Sequence, residues 1–167
     1  AQDMVEALTE AIDTLVVGDP LDEGTDVSAL ISHTERDRVL AWVQEAAADG
    51  ARVTTGGELA ADVVLRPTLV VDARPDMKIC SQEVFGPVVA VTTYEDFDEA
   101  LRLANNTRYG LQAGVFTRDL GTALKAARTL DFGGVLINEV PTWRTEQQPY
   151  GGLRDSGNTR EGPAWAV

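Results

Sequence analysis

The residues of this chain that could do chemistry fall in two places. The first is MKICSQEVFGPVVAV, residues 77–91, which holds the only cysteine, Cys80, and then the carboxylate Glu83 and the aromatic Phe85 just before Gly86 and Pro87. A cysteine thiolate is a nucleophile, but it needs a neighbouring cation or base to lower its pKa, and Lys78 is the one such residue close in sequence. The competing reading makes Cys80 a small packing residue, Glu83 a surface charge and Phe85 part of the core. The second place is EVPTWRTEQQPYGGLRDSGNTREGP, residues 139–163, rich in Gly, Pro and polar residues yet carrying Trp143, Arg144 and Tyr150. Disordered segments seldom combine such residues, and long ordered loops tend to be functional, so this loop is expected to wall a site. His33 is the only histidine and has no cysteine nearby, so the sequence offers no metal-ligand set. The carboxylates of YEDFDEA lie at a helix start, where they suit the dipole and need not form an acid/base pair.

The surrounding elements follow from periodicity. In AQDMVEALTEAIDTL, Met4, Leu8, Ala11 and Leu15 have helical spacing, with Asp3 the only possible cap. A second helix is expected in SHTERDRVLAWVQEAAADG, capped by Ser32 with Glu35, striped by Leu40, Val43 and Ala47, and stopped at Gly50. RVTTGG, VVLRPTLVV and PVVAVTTY read as strand segments, and Pro67 places the second at an edge or splits it. From 88 the pattern is strand VVAVTT, then a helix with Phe97, Ala100, Leu101 and Ala104 on one face and Asp96 and Glu99 as a capping pair. Strand AGVF follows, then a helix capped by Asp119 with Leu120, Ala123, Leu124 and Ala127, then strand GVLIN. This β-α-β-α-β core, about 88–138, implies parallel strands joined by crossovers, and the loop of about 139–160 leaves the carboxyl end of its last strand. Open α/β sheets bind ligands beyond that end.

Composition narrows the function classes. The chain has 167 residues and suits one domain; 44% are hydrophobic and 25% charged, as expected for a packed globular core. The net charge of −13 disfavours nucleic acid and anionic membrane surfaces as partners. A single cysteine cannot form an internal disulfide, no apolar run approaches a membrane span, and no signal segment opens the chain, so a cytoplasmic protein is the simplest expectation.

Several segments together, EVFGPVVAVTTYEDFDEALRLANNTRYGLQAGVFTRDLGTALKAARTLDFGGVLIN, PYGGLRDSGNTREG, LVVGDPLDEGTDVSALIS and RPTLVV, resemble in order the C-terminal part of the NAD(P)-dependent aldehyde dehydrogenase superfamily. The resemblance covers nearly the whole chain. It implies an α/β fold with a mostly parallel sheet and flanking helices, of the aldehyde dehydrogenase catalytic-domain type, with residues 1–167 forming part of that domain. It also implies a parent enzyme that oxidises a small-molecule aldehyde to an acid with NAD or NADP through a cysteine thiohemiacetal, and a parent homo-oligomer. By the resemblance, Glu83 accepts hydrogen bonds from the nicotinamide ribose hydroxyls, since a carboxylate can hold a diol with both oxygens. Phe85 packs near the nicotinamide ring, Tyr150 lines the aldehyde tunnel, and Gly151 and Gly152 let the backbone turn. VPTWRTEQQPYGG looks like the branch that handles small hydroxylated or anionic aldehydes. There Trp143 and Arg144 are candidate substrate residues, Arg144 pairing with a carboxylate or phosphate or else being a plain surface arginine.

The departures matter as much. The family's nucleophile sits in Asn-x-Gly-Gln-x-Cys, which does not surround Cys80, so no catalytic residue is assigned in this chain. The nucleophile, oxyanion and dinucleotide elements are expected before Ala1 and a pairing arm after Val167. The chain then reads as a fragment truncated at both ends, inactive alone and inclined to self-associate through uncovered apolar surface. Two other readings are a stand-alone non-catalytic oligomerisation or partner-binding module on the same scaffold, and an acyl-phosphate reductase, which EVFGP and PYGGLRDSG fit less well.

Overall fold

A computed structural model describes residues 1–61, 63–157 and 159–165, in two compact units, Ala1–Thr93 and Tyr94–Val167. Asn158, inside the expected site loop, and the closing Ala166 and Val167 lie outside the described residues.

The first unit opens with helix α1 (Gln2–Asp13). Ala1 occupies its N-cap without a side-chain cap; Asp3, expected to cap, sits inside the first turn, where its charge still favours the dipole. None of its residues is buried, and Met4 is 64% exposed. Helix α2 (His33–Ala48) is capped as expected, Ser32 Oγ accepting from the Glu35 amide at 3.2 Å. The reciprocal half of the capping box is replaced: the Glu35 carboxylate turns to Arg38. The buried stripe of α2 is Val39, Val43 and Ala46, while Leu40 is half-buried and Ala47 exposed. Two neighbouring stripes share Val43, and only docking against the sheet selects between them.

The strands of this unit are β1 (Arg52–Thr55), β2 (Leu59–Ala60), β3 (Val64–Leu65), β4 (Thr68–Val71) and β5 (Val88–Val91), with the short helix α3 (Lys78–Ser81) before the last. Pro67 falls between β3 and β4, so it splits the apolar run. The segment after it is not an edge: the sheet order is β1-β4-β5, and all four residues of β4 are buried. β4 pairs antiparallel with β1 and parallel with β5, Thr68 facing Val88 and Val71 facing Val91. β5, which reads as a buried strand, lies at the edge of this sheet with Val89 48% exposed. The buried hydroxyl of Thr68 is satisfied, accepting from the Gly57 amide at 2.9 Å and donating to the Arg66 carbonyl at 2.7 Å. Val43, Ala46, Ala51, Val70, Ala73, Met77 and Ile79 form the core, with Trp42, Cys80 and Val84 packed against it.

The second unit contains α4 (Phe97–Asn105), β6 (Gln112–Val115), α5 (Leu120–Thr129) and β7 (Gly134–Ile137). Asp96 and Asp119 cap the two helices by accepting from the amides three residues on, at Glu99 and Thr122. β6 and β7 pair in parallel, Gln112 facing Gly134 and Val115 facing Ile137. Leu101, Ala126 and Leu130 are the core, with Phe97, Ala113, Val115, Phe132 and Val135 around them. α5 buries Ala123 and Ala126, whereas Leu120 is 72% and Leu124 47% exposed. The stripe expected from Leu120, Ala123, Leu124 and Ala127 is therefore turned: small alanines let the helix sit close to the β6–β7 pair, and the leucines face out.

Candidate functional site

Segment 80–87 leaves α3 and enters β5. Cys80 is half-buried against the core, and its thiol pKa is raised, first by burial and then by the Asp76 charge. Lys78 does not offset this; its ammonium pairs with Glu45 at 2.6 Å. Both effects work against a thiolate. Beyond Cys80 the backbone is fastened at successive points. The Gln82 amide donates to the Lys78 carbonyl, Arg38 Nη2 donates to the Val84 carbonyl at 2.9 Å, and the Thr68 amide donates to the Pro87 carbonyl at 2.8 Å. A Cβ on Gly86 would lie 3.2 Å from both methyls of buried Val39, so the turn runs close against α2.

From this fastened turn Glu83 and Phe85 project outward. Glu83 is exposed, and among the described residues its carboxylate has no hydrogen bond or ion pair. Phe85 is 77% exposed and holds a left-handed φ of 50°, which a bulky L-residue adopts only when its surroundings enforce it. Phe85 is not a core residue here. An open carboxylate beside an open aromatic face is an arrangement that can accept a diol and stack a flat ring.

In the second unit, Arg144 and Tyr150 are brought together. The Arg144 guanidinium lies 4.6 Å from the centroid of the Tyr150 ring and pairs with Glu161 at 3.3 Å. Tyr150 and Glu161 form an isolated antiparallel bridge that closes the loop on itself. Arg144 and Tyr150 line an open cleft of about 430 Å³ together with Leu111, Gln112, Pro141 and Thr142. Trp143, 46% exposed, is not among these lining residues. Neither Gly151 nor Gly152 has the positive φ of a tight turn. Gly151 is required by a close approach instead, because a Cβ there would lie 2.0 Å from the Thr159 carbonyl. The segment after it is sewn to the chain before β6, the Leu153 amide donating to the Gly110 carbonyl and the Gly110 amide to Ser156 Oγ, and to the chain before β7, where Arg154 pairs with Asp131.

Two residues escaped the sequence reading. Arg38 stands three positions after Glu35 and four before Trp42 on one helix face, a spacing legible in the sequence, where the capping box accounts for Glu35 alone. Gln112 Oε1 is a buried acceptor without a partner among the described residues, on a strand where a polar residue was the only signal. Among the described residues, no group of three or more His, Cys, Asp or Glu is placed to hold a metal, and no helix is long and apolar enough to cross a membrane.

The aldehyde dehydrogenase family model matches residues 1–167. This chain belongs to the aldehyde dehydrogenase family. A 3-sulfolactaldehyde dehydrogenase of Priestia aryabhattai is 45% identical over 163 residues, covering 98% of this chain and 34% of that protein. A lactaldehyde dehydrogenase of Methanococcus aeolicus is 37% identical over 167 residues. Among solved structures, aldehyde dehydrogenase 21 of Physcomitrella patens, in complex with its reaction product succinate, aligns with a TM-score of 0.94 at 39% identity. Betaine aldehyde dehydrogenase of Staphylococcus aureus in complex with NAD+ aligns at 0.89 and 32%. Each alignment covers nearly all of this chain and 34% of the solved one. The chain thus spans about a third of the length of the aldehyde dehydrogenases it matches.

Proposed function

We propose that this chain is part of the catalytic domain of an NAD(P)-dependent aldehyde dehydrogenase, and that it supplies the nicotinamide-riboside grip and one wall of the aldehyde site. The reading rests above all on the Glu83 carboxylate, exposed and unpaired among the described residues, beside the outward-facing Phe85. Glu83 holds the ribose diol with its two oxygens, and Phe85 limits the swing of the ring. Held by these residues, the cofactor would supply the hydride acceptor that oxidation of an aldehyde requires. The nucleophile is a cysteine other than Cys80, whose thiol pKa is raised and whose neighbour Lys78 is paired with Glu45. Water would then cleave the acyl C–S bond to that cysteine, returning the thiol and the acid, so that overall aldehyde, NAD(P)+ and water give acid, NAD(P)H and a proton.

Arg144 and Tyr150, which line one cleft, contribute to the aldehyde site, and Trp143 joins them only by lying on the same loop. Arg144 suits a small aldehyde with an anionic or hydroxylated tail, because its fork can leave exposed Glu161 for a substrate anion without losing the Tyr150 stack. The substrates in the names of the sulfolactaldehyde and lactaldehyde relatives agree with that class. The 167-residue chain alone is inactive by this reading, and reduces no NAD(P)+ with any aldehyde. In the full-length protein, Glu83→Gln weakens charge-assisted bonds worth about 1.5–3 kcal/mol, so the KM for NAD(P)+ rises about tenfold or more while the aldehyde KM changes little. An unchanged cofactor KM would remove Glu83 from the cofactor site.

A further inference from the structure

Arg38 is a long cation that reaches from α2 to the turn that displays Glu83 and Phe85. Its Nε donates to Glu35 Oε2 at 2.8 Å, its Nη2 lies 2.7 Å from the same oxygen and donates to the Val84 carbonyl at 2.9 Å, and its guanidinium lies 4.5 Å from the centroid of the Trp42 ring. The side chain is 27% exposed, so it is wedged between α2 and the turn instead of waving in solvent. Glu35 and Trp42 fix the plane and direction of the fork, and Trp42 is itself packed on the core. A fork held on one edge and one face has one orientation left for its remaining N–H groups.

The carbonyl it holds belongs to the peptide between Val84 and Phe85. The orientation of that peptide plane sets ψ of Val84 and φ of Phe85, and Phe85 stands at +50°. Flipping the plane would release Phe85 into ordinary extended backbone, and would swing the Val84 carbonyl away without moving the anchors at Gln82 and Pro87. The left-handed conformation is disfavoured for a bulky L-residue, so a restraint must hold it. The Arg38 bond is positioned to do so.

We propose that Arg38 is a positioning residue for the cofactor turn: clamped by Glu35 and Trp42, it locks the Val84–Phe85 peptide so that Glu83 and Phe85 are presented to the nicotinamide riboside already in place. The proposal rests on the cofactor reading of Glu83 and Phe85. Pre-organisation of this kind acts on cofactor binding and leaves aldehyde binding alone.

The test compares Arg38→Met, Arg38→Lys and Glu83→Gln in the full-length protein. Two readouts are taken: the KM values for cofactor and aldehyde, and the rate at which a Glu-specific protease cuts after Glu83, at temperatures well below each variant's Tm. Arg38→Met is expected to raise the cofactor KM on the order of tenfold with the aldehyde KM unchanged, and to hasten the cut. Arg38→Lys keeps the charge but not the fork, and is expected to behave like Arg38→Met. Full rescue by lysine would overturn the proposal, as would a cofactor KM that moves for Glu83→Gln but not for Arg38→Met. If Glu83→Gln leaves the cofactor KM unchanged, the cofactor reading fails instead. The cleavage rate then judges the clamp by itself, and an unchanged rate in Arg38→Met would overturn it.

Discussion

Replacing Arg144 by methionine separates a structural arginine from a substrate-binding one. Its structural partners are weak. The ion pair with Glu161 joins side chains 39% and 65% exposed, and such surface pairs contribute about 0.2–1 kcal/mol. The stack on Tyr150 at 4.6 Å adds about 0.5–1 kcal/mol at an exposed site. Methionine keeps much of the apolar stem, so the expected destabilisation is at most about 2 kcal/mol, a Tm shift of a few degrees. A charge-assisted bond to a substrate anion is worth about 1.5–3 kcal/mol, which corresponds to roughly a 10- to 150-fold loss in kcat/KM. The assay is kcat/KM of the full-length protein on two aldehydes of equal length, one ending in a carboxylate or sulfonate and one in a neutral hydroxyl. The anionic aldehyde should lose by that factor and the neutral one by a few-fold only. Equal losses on both would show that Arg144 supports the loop and does not read the substrate. A loss on neither would leave it a surface arginine.

Three further outcomes follow from the fold and its charges. Leu69 is fully buried on the central strand, so Leu69→Ala should lower stability by about 2–5 kcal/mol, read as a lower urea midpoint. The Asp119 carboxyl is held below its usual value by its bonds from Thr122, backbone first. Its folded pKa lies below the unfolded one, so its stabilisation is present above the ordinary carboxylate range and is lost as pH falls through the lowered value. The Tm advantage of the wild type over Asp119→Asn should shrink along that path in acid. Cys80, whose thiol pKa is raised, should alkylate more slowly at neutral pH in the native chain than in urea, by mass spectrometry; a faster native rate would contradict the burial argument.

Much of the local structure was legible because it is written over three or four residues. Ser32, Asp96 and Asp119 each accept from the amide three positions on, and a cap of that kind needs only its own turn of helix. Pro67 divides β3 from β4 for an equally local reason, a missing N–H. The alternation of strands and helices from Val88 to Ile137 was likewise readable from period alone. The turn at Glu83–Phe85, proposed to meet the cofactor, is assigned that role in the sequence only through the family pattern; nothing in EVFGP states that Phe85 faces outward with a positive φ.

What the tertiary structure decided is everything that depends on residues far apart in the chain. Periodicity gave α5 one apolar stripe, Leu120, Ala123, Leu124 and Ala127, and packing turned the helix so that Ala123 and Ala126 are buried and the leucines face out. It could not say that β4, next to a proline, becomes the central buried strand, or that β5 takes β4 as its parallel partner. Pairing depends on which edges meet after the chain has folded, and strands of similar composition are interchangeable until then. The same is true of function. Arg38 reaches a carbonyl 46 positions away, and Arg144 meets Glu161 across the 17 positions of a loop that closes on itself. The sequence determined which chemical groups were available; folding determined which of them touch.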